Sequence, residues 1–308
     1  MLAWLRIIRI PNLATAAADA LAGYLVIAGL RELAWPPAAC GLAVAAIIAL
    51  YAAGIVFNDV CDAELDRRER PERPLPSGMI DLRAAAIAAA GLGITGLILA
   101  GGASYQIAAP WPAAVASILA GCIWLYDRHA KGTAVGPIVM GACRSLAWLT
   151  GMTAAGGPNA IHEWMIPVGM GLYVAGITLY ARDEAAESRQ RTTLLAGAVV
   201  MLAGLVVAAG FVWLPDRGPI ELAAGAPMPV TTWLVLWSVI GTSIFYRLAI
   251  GIGDPEPSRI RFAVGNAIMS IITLDAVLVL AACGEQWAIV VLCLLAWFLF
   301  FKRLVPPT

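Results

Sequence analysis

Between residues 58 and 67 the chain reads Asn-Asp-Val-Cys-Asp-Ala-Glu-Leu-Asp-Arg. On a helix, Asn58, Asp59, Asp62 and Asp66 share one face, because three- and four-residue steps bring side chains one above another. Carboxylates stacked in that way repel unless a cation stands between them. Mg²⁺ is a hard ion commonly held by one or two carboxylates together with substrate phosphates. Arginines follow at once, Arg67, Arg68, Arg70 and Arg73. The set suits a Mg²⁺–diphosphate complex, with Asn58, Asp59, Asp62 and Asp66 as metal ligands and Asn58, Arg67 and Arg73 on the diphosphate. The competing reading is a solvated loop of mutually neutralising charges, since exposed ion pairs contribute little. It fits the stretch after Asp66 better than Asn58 to Asp66, which begins at the end of an apolar run where carboxylates are expensive to desolvate and are usually functional.

The elements that must position these groups are membrane helices. Of the 308 residues 61% are hydrophobic and 13% charged, against about a quarter charged in a soluble domain, and the mean hydropathy is +0.84. Apolar stretches of the roughly 20 residues a spanning helix needs lie near 12–30, 36–58, 83–103, 110–126, 134–155, 163–181, 192–214, 229–250, 260–283 and 286–301. The expected fold is all-α, a polytopic transmembrane helical bundle forming a single integral-membrane domain over 1–308. The apolar opening with Arg6 and Arg9 reads as the first span rather than a secretory signal, since it is long enough to cross and many more stretches follow. The six cysteines show no Cys-x-x-Cys spacing and read as small buried hydrophobes.

All of the 20 Lys and Arg residues except Arg31, Arg144 and Arg217 fall at one side of these segments. Such enrichment marks cytoplasmic loops, so both termini and the charged loops are expected on the cytoplasmic side of an inner membrane, with an even number of helices. Trp35, Trp111, Trp164, Trp213 and Trp287 stand at the opposite ends, as interfacial aromatics do. Loops separated by pairs of helices share a face, so residues 59–82, 126–131 and 182–191 are expected to meet there.

Three charged residues lie inside apolar sequence. Arg144 is expected to face the bundle interior, on the diphosphate or on a motif carboxylate; snorkelling to the interface is the other reading. Asp19 and Asp275 fit an acceptor contact or a proton relay, and equally a helix cap or a buried protonated carboxyl. Asn12, after Pro11, is a further acceptor candidate. His129 and His162 have no acid at useful spacing, the Gly-rich runs lack P-loop spacing, and no nucleic-acid signature is present.

The pattern N-D-x-x-D-x-x-x-D-R from Asn58 to Arg67, followed by R-P-L-P-S-G from Arg73 to Gly78, resembles the first signature of the UbiA-type intramembrane prenyltransferases. The order of segments and loops extends the likeness over most of the chain, and the wording PNLATAAADALAGYL is most similar to the UbiA-like proteins of bacterial ebo gene clusters. The resemblance implies a bundle of nine helices, where about ten are counted here, around a central lipid-accessible cavity. It implies a polyprenyl diphosphate bound through Mg²⁺ within membrane lipid, an allylic cation, and a small polar or aromatic acceptor that captures it. It implies a second acidic turn after the sixth segment, where Asp183 and Glu187 are spaced to hold a metal and Arg182 stands beside the diphosphate; this chain has fewer acids there than the family. Asp59, Asp62, Asp183 and Glu187 are then the catalytic set. The family also has a Tyr and a Lys in the loop between the fourth and fifth segments, here Tyr126 near the acceptor and Lys131 as a point charge on phosphate, with one residue more between them than is usual. A plain loop lysine is the alternative. A non-catalytic prenyl-diphosphate binder or transporter, with Asp19, Arg144 and Asp275 lining a pathway, is the competing function; no inverted repeat is visible to favour a transporter. The D-G-x-x-A-R opening of CDP-alcohol phosphotransferases is absent, since Val60 and Ala63 follow the aspartates.

Overall fold

The computed structural model describes residues 2–33, 37–182, 187–214, 218–219 and 229–304. Over these the chain is helical apart from the connecting turns and loops and a two-residue antiparallel pairing of Trp213–Leu214 with Gly218–Pro219. A short α1 (Leu2–Ile7) precedes α2 (Ile10–Leu30), α3 (Pro37–Glu69), α4 (Leu82–Gln106), α5 (Trp111–Leu125), α6 (Gly136–Ala154), α7 (Ile161–Tyr180), α8 (Glu187–Ala209), α9 (Val230–Gly253), α10 (Pro257–Cys283) and α11 (Glu285–Leu304). Each of the ten apolar stretches has become one helix. Among the described residues seven of these helices are long and apolar enough to cross a membrane, namely α2, α3, α4, α8, α9, α10 and α11, and the chain is an integral membrane protein. The other three fall outside that class: α5 has 15 residues, and α6 and α7 are diluted by Arg144 and by His162-Glu163.

Successive helices pack on one another from α2 through α11, and α2 also touches α6, α10 and α11. It therefore stands at the centre, with most of its length buried. Its alanines make this possible. In lipid, helices associate through close van der Waals packing of small residues rather than through a hydrophobic effect. A Cβ on Gly151 of α6 would lie 2.0 Å from the Ala20 carbonyl oxygen, and one on Gly23 would lie 2.4 Å from that of Trp148. The outer helices are the reverse. Ile87 and Ile98 of α4, Val235 and Val239 of α9, and Phe300 of α11 point outward, each more than half exposed, as lipid-facing side chains must. Cys40 is buried but Cys293 is exposed on α11, so the expectation that every cysteine is interior is corrected: the lipid face accepts a small apolar thiol as readily as the core.

The helix that matters most for function is α3. Its 33 residues rise about 50 Å at 1.5 Å each, well beyond the roughly 30 Å hydrocarbon layer. The surplus is its C-terminal end, which carries the carboxylates.

Candidate functional site

The last turns of α3 hold each motif carboxylate against a base from another element. Asp59 accepts a hydrogen bond from Arg9 Nη2 at 2.9 Å. Arg9 reaches it because the backbone there is left-handed, at φ 50°, which turns α1 away from α2. Asp66 accepts from Arg73 Nη1 at 2.7 Å, and the same nitrogen lies 3.9 Å from Asp59. These two acids and Arg73 are buried. Arg73 is delivered by the Arg-Pro-Leu-Pro-Ser-Gly turn. Pro74 and Pro76 prevent the chain from resuming a helix, the Ser77 hydroxyl donates to the Arg73 carbonyl at 2.7 Å, and Gly78 takes a left-handed φ of 75° that a Cβ would disfavour.

Asp62 is ion-paired with Lys131. Lys131 Nζ also lies 3.3 Å from Asn58 Oδ1, and Asn58 Nδ2 donates to Asp127 Oδ1 at 2.9 Å. The loop that supplies Lys131 and Asp127 is a π-helical turn, Tyr126–Ala130, closed by the Lys131 amide donating to the Tyr126 carbonyl at 2.9 Å. Such a turn holds one more residue than an α-turn, and single π-turns are frequent at functional sites. The extra residue between Tyr126 and Lys131 is thus absorbed in the winding, and the lysine still reaches the carboxylate face. Burial, foremost, pushes the Asp127 carboxyl up to about 6, against the lowering effect of the Asn58 hydrogen bond and the Lys131 charge, while the Asp62 and Asp59 charges raise it further.

Below the mouth is a cavity of about 460 Å³. Asn58, Asp62, Arg9, Arg70, Arg73, Asp127 and Lys131 ring its top, and Ile47, Ile55, Leu119, Ile123, Val174 and Ile271 are among its apolar walls. Asn12, Thr15, Tyr51, Asp19 and Arg144 line its deeper polar side. Arg144 Nη1 is 2.8 Å from Asp19 Oδ2, and Asp275 of α10 adjoins Asp19 and Trp148.

The sequence expectations are distributed as follows. Asn58, Asp62, Arg73, Lys131, Tyr126, Asn12, Asp19 and Arg144 line one cavity. Asp59 stands just behind its rim on Arg9 and Arg73. Four candidates have partners that the sequence did not indicate. Arg67 pairs with Glu64 at 2.7 Å on the exposed side of α3, because the residue after Asp66 rotates away from the carboxylate face. Asp66 is paired with Arg73 at 2.7 Å and so braces the loop. Arg144, two turns into α6, meets Asp19 before it can reach a motif carboxylate. Arg182 is exposed and donates to the Gly132 carbonyl at 3.3 Å, joining the third charged loop to the second. Asp183 lies outside the described residues, as does the side chain of Glu187, whose backbone opens α8. Arg9, Arg70 and Asp127 were not singled out. Each is an ionisable group adjoining a segment end within a charged loop, and that was the available signal.

For a divalent metal the donor chemistry fits. Asn58, Asp62 and Asp127 offer hard oxygens at the cavity top. Among the described residues no group of three His, Cys, Asp or Glu side chains is placed to hold a metal ion by itself; Mg²⁺ is usually held by few carboxylates plus substrate phosphates.

A model of the UbiA prenyltransferase family matches residues 17–264. Among curated relatives, the digeranylgeranylglyceryl phosphate synthase of Methanoculleus marisnigri is 43% identical over 99 residues, 32% of this chain and 33% of the relative. That of Metallosphaera sedula is 30% identical over 177 residues, 57% and 58% of the two chains. The matches thus span less than two thirds of these relatives' length. Among solved structures, one of digeranylgeranylglyceryl phosphate synthase in membranes superposes with a TM-score of 0.63 at 22% identity, covering 92% of this chain and 98% of that one. A UbiA homologue from Archaeoglobus fulgidus bound to GPP and Mg²⁺ superposes at 0.61 and 14% identity, covering 94% and 99%. At these identities the likeness is one of fold.

Proposed function

Because this chain belongs to the UbiA prenyltransferase family, we propose that it transfers a polyprenyl group from a prenyl diphosphate to a small polar or aromatic acceptor within the membrane, in a Mg²⁺-dependent reaction. The observation that carries this reading is the mouth of the cavity, where hard oxygens and four bases, Arg9, Arg70, Arg73 and Lys131, surround the top of an apolar chamber. A diphosphate with a hydrocarbon tail has that same division of character. Support comes from the relatives, named as digeranylgeranylglyceryl phosphate synthases, and from the GPP- and Mg²⁺-bound homologue of the same fold.

In this reading Asn58, Asp62 and Asp127 would hold the metal, with Asp59 fixed behind them, and Asp183 and Glu187 are proposed as further ligands from their spacing in the sequence. Mg²⁺, when bound, supplies positive charge where the departing diphosphate develops negative charge. Lys131 exchanges Asp62 for a phosphate oxygen, and Arg9, Arg70 and Arg73 keep the bridging oxygen side positive as the C1–O bond lengthens. The Ile and Leu walls keep water from the allylic cation. The site is assigned to the cytoplasmic face of a bacterial-type inner membrane, with both termini on that side, and residues 1–308 form one domain.

The test is calorimetric titration of the detergent-solubilised protein with geranylgeranyl diphosphate, with and without Mg²⁺, followed by measurement of diphosphate release with acceptors. Binding that requires Mg²⁺, with release on acceptor addition, is the expected result. Binding without release across a broad panel favours the non-catalytic binder, and no binding at all overturns the site.

A further inference from the structure

The deeper polar wall of the cavity bears on which acceptor is used. Along one face of α2, Arg9, Asn12, Thr15 and Asp19 all line the cavity. The drop from Asn12 to Asp19 is about 10 Å at helical rise, room for one small molecule beneath a diphosphate seated at the mouth. At its foot, Asp19 is fully buried and Arg144 is 7% exposed, 2.8 Å apart. Asp275, also fully buried, backs Asp19 from α10. Polar capacity is left over at the guanidinium: Arg144 Nε donates to nothing, while Asp19 Oδ2 is held by Arg144 Nη1 at 2.8 Å and Asp275 adjoins Asp19. Asp19 and Arg144 line the cavity, and the unused Nε is a buried donor of the kind that ordinarily finds a partner.

The charges decide what kind. Arg144 is permanently cationic and Asp19 is its ion-pair partner. The three groups together are neutral if Asp275 keeps its proton and carry one negative charge if it does not. In neither state does the foot of the cavity present an uncompensated positive charge. A carboxylate or phosphate entering there meets acid oxygens in a low-dielectric setting, where like charges are strongly unfavourable. A hydroxyl can donate to Asp19 and accept from Arg144 Nε.

We propose that the acceptor is an uncharged alcohol, with a hydroxyl donating to Asp19, and that the Asp19–Arg144–Asp275 cluster discriminates against anionic acceptors. The inference rests on the prenyltransferase reading and narrows it, departing from the phosphate-bearing compound in the relatives' name. In the transfer the alcohol oxygen bonds to C1 of the prenyl group as the C1–O bond to diphosphate breaks. That electron pair leaves with the diphosphate, which also takes up the alcohol proton at the cavity mouth, while Asp19 holds the acceptor from below.

The experiment uses the full chain in lipid nanodiscs with geranylgeranyl diphosphate and Mg²⁺. Matched acceptors are compared by mass spectrometry of the prenylated product: glycerol, inositol and a phenylmethanol against glycerol phosphate, inositol phosphate and 4-hydroxybenzoate. The expected result is that one or more uncharged alcohols react and that each is preferred at least tenfold over its anionic counterpart. In Asp19→Asn the KM for the reacting alcohol should rise tenfold or more while Mg²⁺-dependent affinity for geranylgeranyl diphosphate is unchanged. An anionic acceptor reacting as fast as its neutral match overturns the inference, as does diphosphate binding with no uncharged alcohol reacting. Loss of Mg²⁺-dependent diphosphate binding in the unmodified protein instead overturns the reading beneath it. Selectivity of the unmodified chain decides the matter even if the variant does not fold.

Discussion

Replacing Arg73 by Met removes the one base that serves two buried acids. Its Nη1 lies 2.7 Å from Asp66 and 3.9 Å from Asp59, and all three side chains are less than a tenth exposed. At an effective dielectric of about 20 those separations correspond to gross attractions of about 6 and about 4 kcal/mol. Desolvation offsets much of this, and deleting one partner of a buried pair typically costs about 3–5 kcal/mol because the other charge is stranded. Arg73→Met strands Asp66 altogether, so it belongs at the upper end, about 5 kcal/mol. Asp66→Asn leaves Arg73 with Asp59 and belongs near the lower end, about 3 kcal/mol. Asp59→Asn leaves Arg73 on Asp66 and frees only Arg9, which is about a third exposed, so about 1 kcal/mol is expected, the scale of a solvated pair. The double variant Arg73→Met with Asp66→Leu removes both charges and should recover most of the loss. Equilibrium unfolding in mixed detergent and dodecyl sulfate micelles, followed through the 11 tryptophans, measures all four. A double variant no more stable than Arg73→Met, or Asp59→Asn as damaging as Arg73→Met, would refute the view of Arg73 as the shared brace.

Further expectations concern the site and the packing around it. Asp62→Asn should weaken Mg²⁺-dependent binding of geranylgeranyl diphosphate by more than the roughly 100-fold that losing an outer partner of a metal ligand can cost; calorimetry reads it, and unchanged affinity removes Asp62 from the site. Deleting Arg128 should turn the π-turn into an α-turn and leave diphosphate affinity within about threefold, the changed register costing no more than about 1 kcal/mol; inserting a second residue at the same point should abolish binding. Gly151→Ala forces a methyl against the Ala20 carbonyl, and overpacking of this kind costs about 1–3 kcal/mol or more, visible as a lowered unfolding temperature, whereas Gly101→Ala, with nothing within 4 Å of the added methyl, should be neutral. Glu187→Gln should lower turnover more than diphosphate affinity if it serves a second metal, and an unaltered rate would mark it as a solvated helix end.

The helices were readable because lipid demands long apolar runs, and each of the ten runs became a helix. The meeting of three loops on one face was readable too, since pairs of spans separate them, and Arg182 on Gly132 and Lys131 on Asp62 show the loops in contact. Side-chain partnership was not. Arg144 was expected near the diphosphate because sequence gives its depth but not that Asp19, 125 positions earlier, stands across from it. Asp66 follows the metal-ligand spacing perfectly well, yet the Arg-Pro-Leu-Pro-Ser-Gly turn folds Arg73 onto it, a contact decided by loop closure rather than helical period. Asp127 was overlooked because its loop looks like ordinary positive-side polarity until the π-turn shows which residue points inward.

The surplus length of α3 sets the depth at which bond breaking would take place. In the proposed reaction, a helix that raises the carboxylates past the hydrocarbon would put the diphosphate at headgroup level while the tail stays among acyl chains. A molecule that diffuses in the leaflet need never give up either of its two natural solvents to dock, and the inorganic fragment it sheds is already at the water's edge. On this arrangement the bilayer does the loading by partition, and changes in leaflet thickness or headgroup crowding should act on the enzyme as strongly as changes in substrate concentration.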